Sequence, residues 1–390
     1  MRLVLGLACG LLVAGRGFCI EVATGQMLGP GYDRRAFYVR ANPSAAWQKT
    51  YSGEAFRPEM AGRLMNLRVA QALFEDEWLT EFPFDPEENT DRVIAALDVY
   101  KAHGILAINV SMQGGNPGYG KEVPQILRIP AFGPGPGKGA LISAFRPDGS
   151  LKPSWLGRLE RLQRALDQRG MILDLMYFYQ GQDEVLTGPE AIRRAVIELT
   201  DWLIEHNARN VIIEIANEYD VKGWNHGRWI PEHIGELIEL ARSRFRARGV
   251  SWRLPISASS YEIIRVDEQV RQHADLTMIH GNDRTPEEKR RQVAQLYADP
   301  TMPGPILMNE DNNGRDTTPE VLQRELASCD AVLEAGGSWG YMPWRQVQMF
   351  PFRHYLPAGS SDLRAGLPLE QSDPIYFKAV LEHIRRRVYR

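Results

Sequence analysis

The chain has 390 residues, enough to bury a sizeable core as one large α/β domain or two smaller ones. A formal net charge of -3 and a pI near 6.3 carry no basic bias, which argues against a nucleic-acid partner. Hydrophobic content of 44% beside 24% charged residues is ordinary for a soluble globular protein, while 35 Gly and 25 Pro point to long shaped loops.

At the N-terminus, Met1-Arg2 precedes an almost unbroken apolar run from Leu3 to Ala14. The run is too short for a membrane span but suits the hydrophobic region of an export signal, and Gly15 and Gly17 suit cleavage before Phe18. The expectation is a signal peptide over 1–17 and a secreted or periplasmic protein without a membrane span. A mis-assigned start, an N-terminal anchor or a lipidated Cys19 are the alternatives. Cys9 would leave with the signal, and Cys19 and Cys329 could pair or remain free thiols. No CxxC, HExxH or other metal spacing occurs among the cysteines and the eight His, so neither a metal nor another cofactor is expected.

Residues 18–61 read as an N-terminal extension. Phe37-Tyr38-Val39 and the run Trp47 to Tyr51 are β-prone, and Ala41-Asn42-Pro43-Ser44 between them supplies turn residues, so a small β-hairpin is expected. From 62 to 390 a rhythm takes over. A first core strand is expected inside Arg63 to Asp76, followed by strands at Ile105–Gln113, Met171–Tyr179, Val211–Ala216, Leu254–Ser259, Asp275–His280, Ile306–Asn309 and Trp339–Met342. Helical patterns fill the intervals: Asn89–His103, Trp155–Gly170, Pro189–Asn207, Pro231–Arg248, Pro286–Tyr297, Pro319–Ala335 and, last, Pro374–Arg387. Pro189, Pro231, Pro286, Pro319 and Pro374 suit helix starts, and Gly104, Gly249 and Gly336 suit helix stops.

Apolar strands alternating with amphipathic helices call for a parallel sheet covered by helices, and eight strands are the number that closes a (β/α)8 TIM barrel. The competing fold is a doubly wound open sheet, but no nucleotide-binding glycine loop follows the first strand. A long Gly/Pro-rich loop after strand two, Gly114 to Pro153, breaks the rhythm on the face where barrel sites form. It reads as a cleft wall rather than a phosphate loop, because Lys138 is followed by Gly139 instead of Ser or Thr.

Two apolar strands end in the same pair. Val211 to Asp220 carries Asn217-Glu218, and Pro305 to Gly314 carries Asn309-Glu310. One such acid could merely cap a helix or pair with an Arg. Two facing each other across a cleft are what glycoside hydrolysis requires, one protonated to help the leaving oxygen and one ionised to meet the developing cation. Alternation along the strand should turn Glu214, Ala216 and Glu218 one way and Ile215 with Asn217 the other, leaving Glu214 buried and in need of a cation, for which Arg68 is the candidate.

At these residues the chain resembles the clan A glycoside hydrolases, especially the cellulase family. EIANEYD matches the strand-four Asn-Glu and ILMNED the strand-seven Glu of that clan. The resemblance implies Glu218 as acid/base, Glu310 as nucleophile and Asn217 as a ligand of the sugar 2-hydroxyl. It also implies a role for His280 beside the nucleophile and for Trp344 as a sugar platform. The chain departs from the pattern at Tyr219, where many members have Pro, at Ala107-Ile108-Asn109, which lacks the usual Arg, and at strand three, which no His ends.

Tyr179 and Gln113 are further candidate substrate contacts from the ends of strands three and two, and Trp224 and His226 are candidates to line the cleft. Gly336 to Gly340 reads GGSWG, but a helix precedes and a strand follows, the reverse of a serine-hydrolase elbow. The expected function is a retaining glycosidase acting on a polysaccharide or oligosaccharide. A non-catalytic carbohydrate-binding barrel is the alternative, and a metal-dependent hydrolase lacks a ligand set. The identity of the glycan and the oligomeric state stay open.

Overall fold

Eight short strands of the expected rhythm come together as one parallel sheet. The computed structural model describes residues 20–75, 84–114, 142–261, 266–314, 316–352 and 354–390; the expected signal segment 1–17 and most of the Gly/Pro-rich loop lie outside them. The strands are β4 (Met65–Arg68), β5 (Ala107–Ser111), β6 (Ile172–Phe178), β7 (Val211–Ala216), β8 (Ile256–Ser257), β9 (Ser259–Ser260), β10 (Thr277–His280), β11 (Ile306–Asp311) and β12 (Ser338–Tyr341). Their order is β8-β7-β6-β5-β4-β12-β11-β10-β9, all parallel, and the two end strands are halves of one stave interrupted at Ala258. One half pairs with β7 and the other with β10, so the sheet closes on itself as a (β/α)8 barrel.

Period-two alternation divides the strand residues. Leu67, Ile108, Val110, Leu173, Leu175, Ile213 and Ile215 face the helices and join the main core, while the opposite residues fill the barrel. The lowest layer is apolar: Leu64, Ala107, Ile172, Ile212, Leu276, Met278 and Leu307 cluster with Val22 and Phe37. Those last two come from the N-terminal segment. There β1 (Glu21–Thr24) adds to the expected hairpin of β2 (Phe37–Arg40) and β3 (Gln48–Lys49), and the three-stranded antiparallel sheet floors the barrel.

Helix boundaries follow cap chemistry. Asp85 accepts from the backbone N–H groups of Glu87 and Glu88, so the first long helix starts at Pro86, ahead of the expected Asn89. Thr285 and Glu288 form a reciprocal capping box before Pro286–Ala298, and Thr318 caps Pro319–Glu334. Two expected starts move. Pro231 lies within a short helix, Trp229–Glu232, which gives way at His233 to Ile234–Ala247. Pro374 lies inside Leu369–Val388, because the chain already turns helical after Pro368.

Candidate active site

The carboxyl end of the barrel gathers its polar side chains through two departures from regular strand geometry. After Ala216 the strand ends, and Glu218 takes a left-handed backbone with φ +44°, strained for a residue with a Cβ. Alternation therefore fails at the top of β7, and Asn217 and Glu218 both reach the barrel mouth. In β11 the register shifts: Ile279 of β10 lies opposite Met308, and His280 opposite Glu310. Asn309 is thus the extra residue of a β-bulge, which turns Asn309 and Glu310 inward together and leaves Asp311 facing the helices. The bulged backbone lies so close to β12 that a Cβ on Gly340 would meet the Asn309 carbonyl oxygen at 2.6 Å. That is the reading of the final Gly in GGSWG.

Arg68, at the top of β4 and buried, organises the site. Its Nε lies 2.9 Å from Glu310 Oε2, its Nη1 donates to Asn109 Oδ1 at 2.8 Å, and its Nη2 donates to Asn217 Oδ1 at 3.0 Å. The expected pairing of Arg68 with Glu214 is therefore corrected. Arg68 reaches one layer higher to the nucleophile candidate, and Glu214 is instead held by the amides of Asn109 and Asn309.

Asn282 Nδ2 donates to the other oxygen of Glu310 at 2.6 Å. Burial opposes ionisation of Glu310, but the charge of Arg68, then His280 and the Asn282 hydrogen bond outweigh it and hold the carboxyl below the ordinary Glu range. Glu218 receives Gln180 Nε2 on Oε2 at 2.8 Å and meets His280 Nδ1 through Oε1 at 2.8 Å. His280 Nδ1 also lies 3.5 Å from Glu310 Oε2. Burial works against the charged imidazole, yet the two carboxylates prevail and raise its pKa. One oxygen each of Glu218 and Glu310 and one nitrogen of His280 all lie within 4.8 Å of one another.

No family model matches the chain, and no curated protein matches it in sequence. Solved structures match in shape. A glycoside hydrolase family 5 protein from Bacteroides vulgatus ATCC 8482 aligns with a TM-score of 0.55 at 11% identity, over 92% of this chain and 68% of that one. A GH5-4 broad specificity endoglucanase from Bacteroides salanitronis aligns with a TM-score of 0.53 at 11% identity, over 90% of this chain and 99% of that one. The chain has the fold of these glycoside hydrolases. It also spans 62% of the length of an exo-beta-1,4-mannosidase from Opitutaceae bacterium strain TAV5, at a TM-score of 0.49, 15% identity and 86% of this chain.

On this glycoside hydrolase fold the other sequence candidates separate. Asn217 is fully buried, with its amide committed to Arg68 and to Gln180 Oε1 at 2.8 Å. Tyr179 is half-buried at the end of β6, and its phenol hydrogen-bonds Arg68; burial and then the Glu310 charge raise its pKa. Gln113, expected to touch substrate, is fully buried behind the mouth. Its Oε1 accepts from the Tyr179 N–H at 2.8 Å, and its Nε2 donates to Ser143 Oγ and the Gln182 carbonyl, each at 3.1 Å, so the amide staples loops together. Trp344 opens a π-helical turn, Trp344–Gln348, and is half-buried; Gln348 docks that turn by donating to the Arg68 carbonyl at 2.9 Å. Trp224 packs against the acid, its indole N–H donating to the Glu218 carbonyl at 3.2 Å. His226 points away, to the Asp183 carbonyl at 3.2 Å.

The site also holds Gln180, Asn282 and Asn109. Their signal in the sequence is weak: each is a polar residue at or just past a strand end, and only neighbouring strands show what it faces. Among the described residues, two groups have ligand atoms close enough to share a metal ion: Glu218, His280 and Glu310, and, on the helices, Cys329, Asp330 and His383. The first set is opposed by the fixed charge of Arg68 beside Glu310. In the second, the Cys329 thiol is buried with its pKa pushed well up, so the thiolate a metal needs is disfavoured. No described helix is long and apolar enough to cross a membrane.

Proposed function

We propose that the chain is a retaining glycoside hydrolase acting on a polysaccharide or oligosaccharide. The observation that carries this is the approach of Glu218 and Glu310 to within 4.8 Å across the mouth, with His280 reaching both. A retaining mechanism calls for carboxyl groups about 5–5.5 Å apart, whereas an inverting one leaves about 6.5–9.5 Å for a water. Glu310, held ionised by Arg68 and Asn282, attacks the anomeric carbon as the bond to the leaving oxygen breaks. Glu218 acts as the general acid toward that oxygen, oriented by His280 Nδ1 at 2.8 Å. The ionised Glu218 then draws a proton from water, whose oxygen displaces Glu310 and restores both groups. Asn217 and Trp344 are assigned to the sugar in this reading, as the resemblance implies, Tyr179 joins them from its place at the end of the third strand, and export through the N-terminal segment belongs to the reading as well.

The test is a panel of aryl glycosides and β-linked polysaccharides, with the anomer released followed by NMR. Retention of configuration, and a glycosyl ester on Glu310 trapped by a 2-fluoro glycoside and mapped by mass spectrometry, are expected. Inversion, or a trapped sugar on another residue, defeats the assignment. Glycan binding without turnover would replace it with the carbohydrate-binding barrel.

A further inference from the structure

Between the apolar floor of the barrel and its catalytic mouth lies a layer of a different kind: Asn66, Asn109, Asp174, Glu214 and Asn309, all fully buried. Two acids in a closed layer demand an explanation, since an ionised carboxylate without a counter-charge is costly to bury. Their geometry is specific. Asn109 Nδ2 donates to Asp174 Oδ2 at 2.9 Å and to Glu214 Oε2 at 2.8 Å. Asn309 Nδ2, from the opposite side of the barrel, donates to the same two oxygens at 3.2 and 3.0 Å. Two amides each bridging one pair of oxygens hold the carboxyl groups side by side. Of the remaining oxygens, Asp174 Oδ1 meets no hydrogen-bond partner among the described residues, and Glu214 has the Ser259 hydroxyl beside it.

Charged and polar groups face the pair from every side. Arg68 stands above on β4, His280 on β10 acts on Glu214, Ser259 on β9 approaches Glu214, and Glu310 and Glu218 lie beyond Arg68. Among the described groups that face the pair, Arg68 is the permanent cation, and its own ion pair is with Glu310 at 2.9 Å. Two like charges so close in a low-dielectric layer are relieved by one shared proton. Burial, and then the charge of Glu214, raise Asp174 well above the usual carboxylate range; burial likewise raises Glu214, with Arg68 and His280 opposing.

The pair also orients the clamp above it. Because Asn109 must aim its NH2 at two carboxylates, its Oδ1 faces Arg68 and accepts Nη1. We infer that Asp174 and Glu214 are a positioning dyad that shares one proton, keeps one negative charge, and serves as the counter-charge of Arg68 while Glu310 is esterified. This rests on the glycosidase reading. When a Glu310 oxygen bonds to the anomeric carbon, the bond to the leaving group breaks and the leaving oxygen takes its proton from Glu218. Glu310 is then a neutral ester and the newly ionised Glu218 lies against His280, so the dyad is the fully buried counter-charge that remains for Arg68. The dyad itself exchanges no proton with substrate.

Amide substitutions separate charge from packing. Asp174→Asn and Glu214→Gln each replace one carboxyl by a neutral isostere and preserve the single negative charge, so each is expected within about 3-fold of wild-type kcat, with an unchanged pH profile. Asp174→Asn/Glu214→Gln removes the charge, so kcat is expected to fall about 100-fold with KM little changed. The acidic limb of its pH profile should move to lower pH, because losing a nearby negative charge makes Glu310 easier to ionise. Either single variant losing as much as the double, or a double variant equal to wild type, overturns the inference. Infrared difference spectra at neutral pH test the dyad without any substrate. Because the buried Glu325 carboxyl also holds a proton at this pH, the readout is the wild-type-minus-variant spectrum: a buried protonated-carboxyl band should remain in it for each single variant, and its absence overturns the dyad even if turnover behaves as expected. Wild type that gives this difference band but hydrolyses no glycoside overturns the glycosidase reading and leaves the dyad standing.

Discussion

Strand β11 carries two adjacent acids into two different buried networks. Glu310 faces the barrel mouth, held by Arg68 and Asn282 and approached by His280, whose Nε2 meets no partner among the described residues. Asp311 faces the helices, where it lies 2.7 Å from the fully buried Lys289 Nζ and accepts the Trp339 indole N–H at 2.8 Å. Lys289 also donates to Asn313 Oδ1 at 2.7 Å and Ser328 Oγ at 2.9 Å, and Asn313 in turn donates to Glu325. Both networks bury charge. In the outer one, every donor of the ammonium group meets a protein acceptor. The inner one instead gathers two carboxylates and an imidazole within 4.8 Å, a crowding that a purely structural network has no reason to keep. A closed network locks β11 to its helices, and an open one is poised for a further group.

The sharpest way to break this comparison is at Glu310. Glu310→Ala is expected to lower turnover per folded molecule on the order of 10^4-fold or more on every glycoside, as loss of a covalent nucleophile does. Appreciable residual activity measured with an activated aryl glycoside would sink the inner network as a nucleophile site. Glu218→Ala should follow, costing about 10²–10⁴-fold on substrates with poor leaving groups and far less on activated ones. Added azide should partly restore the activated substrates by attacking the glycosyl ester without the general-base help that water needs, and a loss independent of leaving group argues against Glu218 as the acid.

A matched pair of cation deletions comes next. Arg68→Met and Lys289→Met each strand a buried carboxylate and are expected to destabilise the fold by about 3–5 kcal/mol, read by denaturant unfolding. They should part company in kinetics: turnover per folded molecule falls at least about 100-fold for Arg68→Met and stays within about 3-fold for Lys289→Met. Equal kinetic losses would erase the distinction between the networks.

The smallest effect concerns pH. Burial, and then the charge of Asp311, push the Glu325 carboxyl up to about 8, with Lys289 opposing. Between an ordinary carboxyl value and that one, the folded state holds a proton that the unfolded chain releases, so Glu325 makes stability fall as pH rises through this window. Glu325→Gln should flatten this loss by a few kcal/mol at most, seen as a smaller difference in unfolding free energy between about pH 5 and pH 8. An unchanged slope means that the outer network keeps Glu325 ionised.

The core strands and the two Asn-Glu pairs were legible because strand and helix periods, Pro starts and Gly stops are local signals. What stayed hidden were conformations set by neighbours. Alternation placed Asn217 opposite Glu218, but the left-handed turn at Glu218 brings both to the mouth. Nothing in PILMNEDNNG marks the bulge at Asn309, which exists because β10 and β12 pair with β11 on either side of it. Asp174 carries a local signal of its own. An acid within the apolar run MILDLMYFY is as anomalous as Glu214 in VIIEIA, and the two turn out to share a layer.

By itself, the sequence determined the barrel rhythm, the small hairpin and the two acids on strands four and seven, since each depends on residue types within one short segment. Only the tertiary structure decided who partners whom. Arg68 passes over Glu214 to hold Glu310, Gln113 is drawn behind the wall, and Gln180 and Asn282 become hydrogen-bond donors to Glu218 and Glu310. The reason is that a buried charge takes its partner from whichever strands the closed barrel brings to the same height, and closure joins residues as far apart in sequence as Arg68 and Glu310.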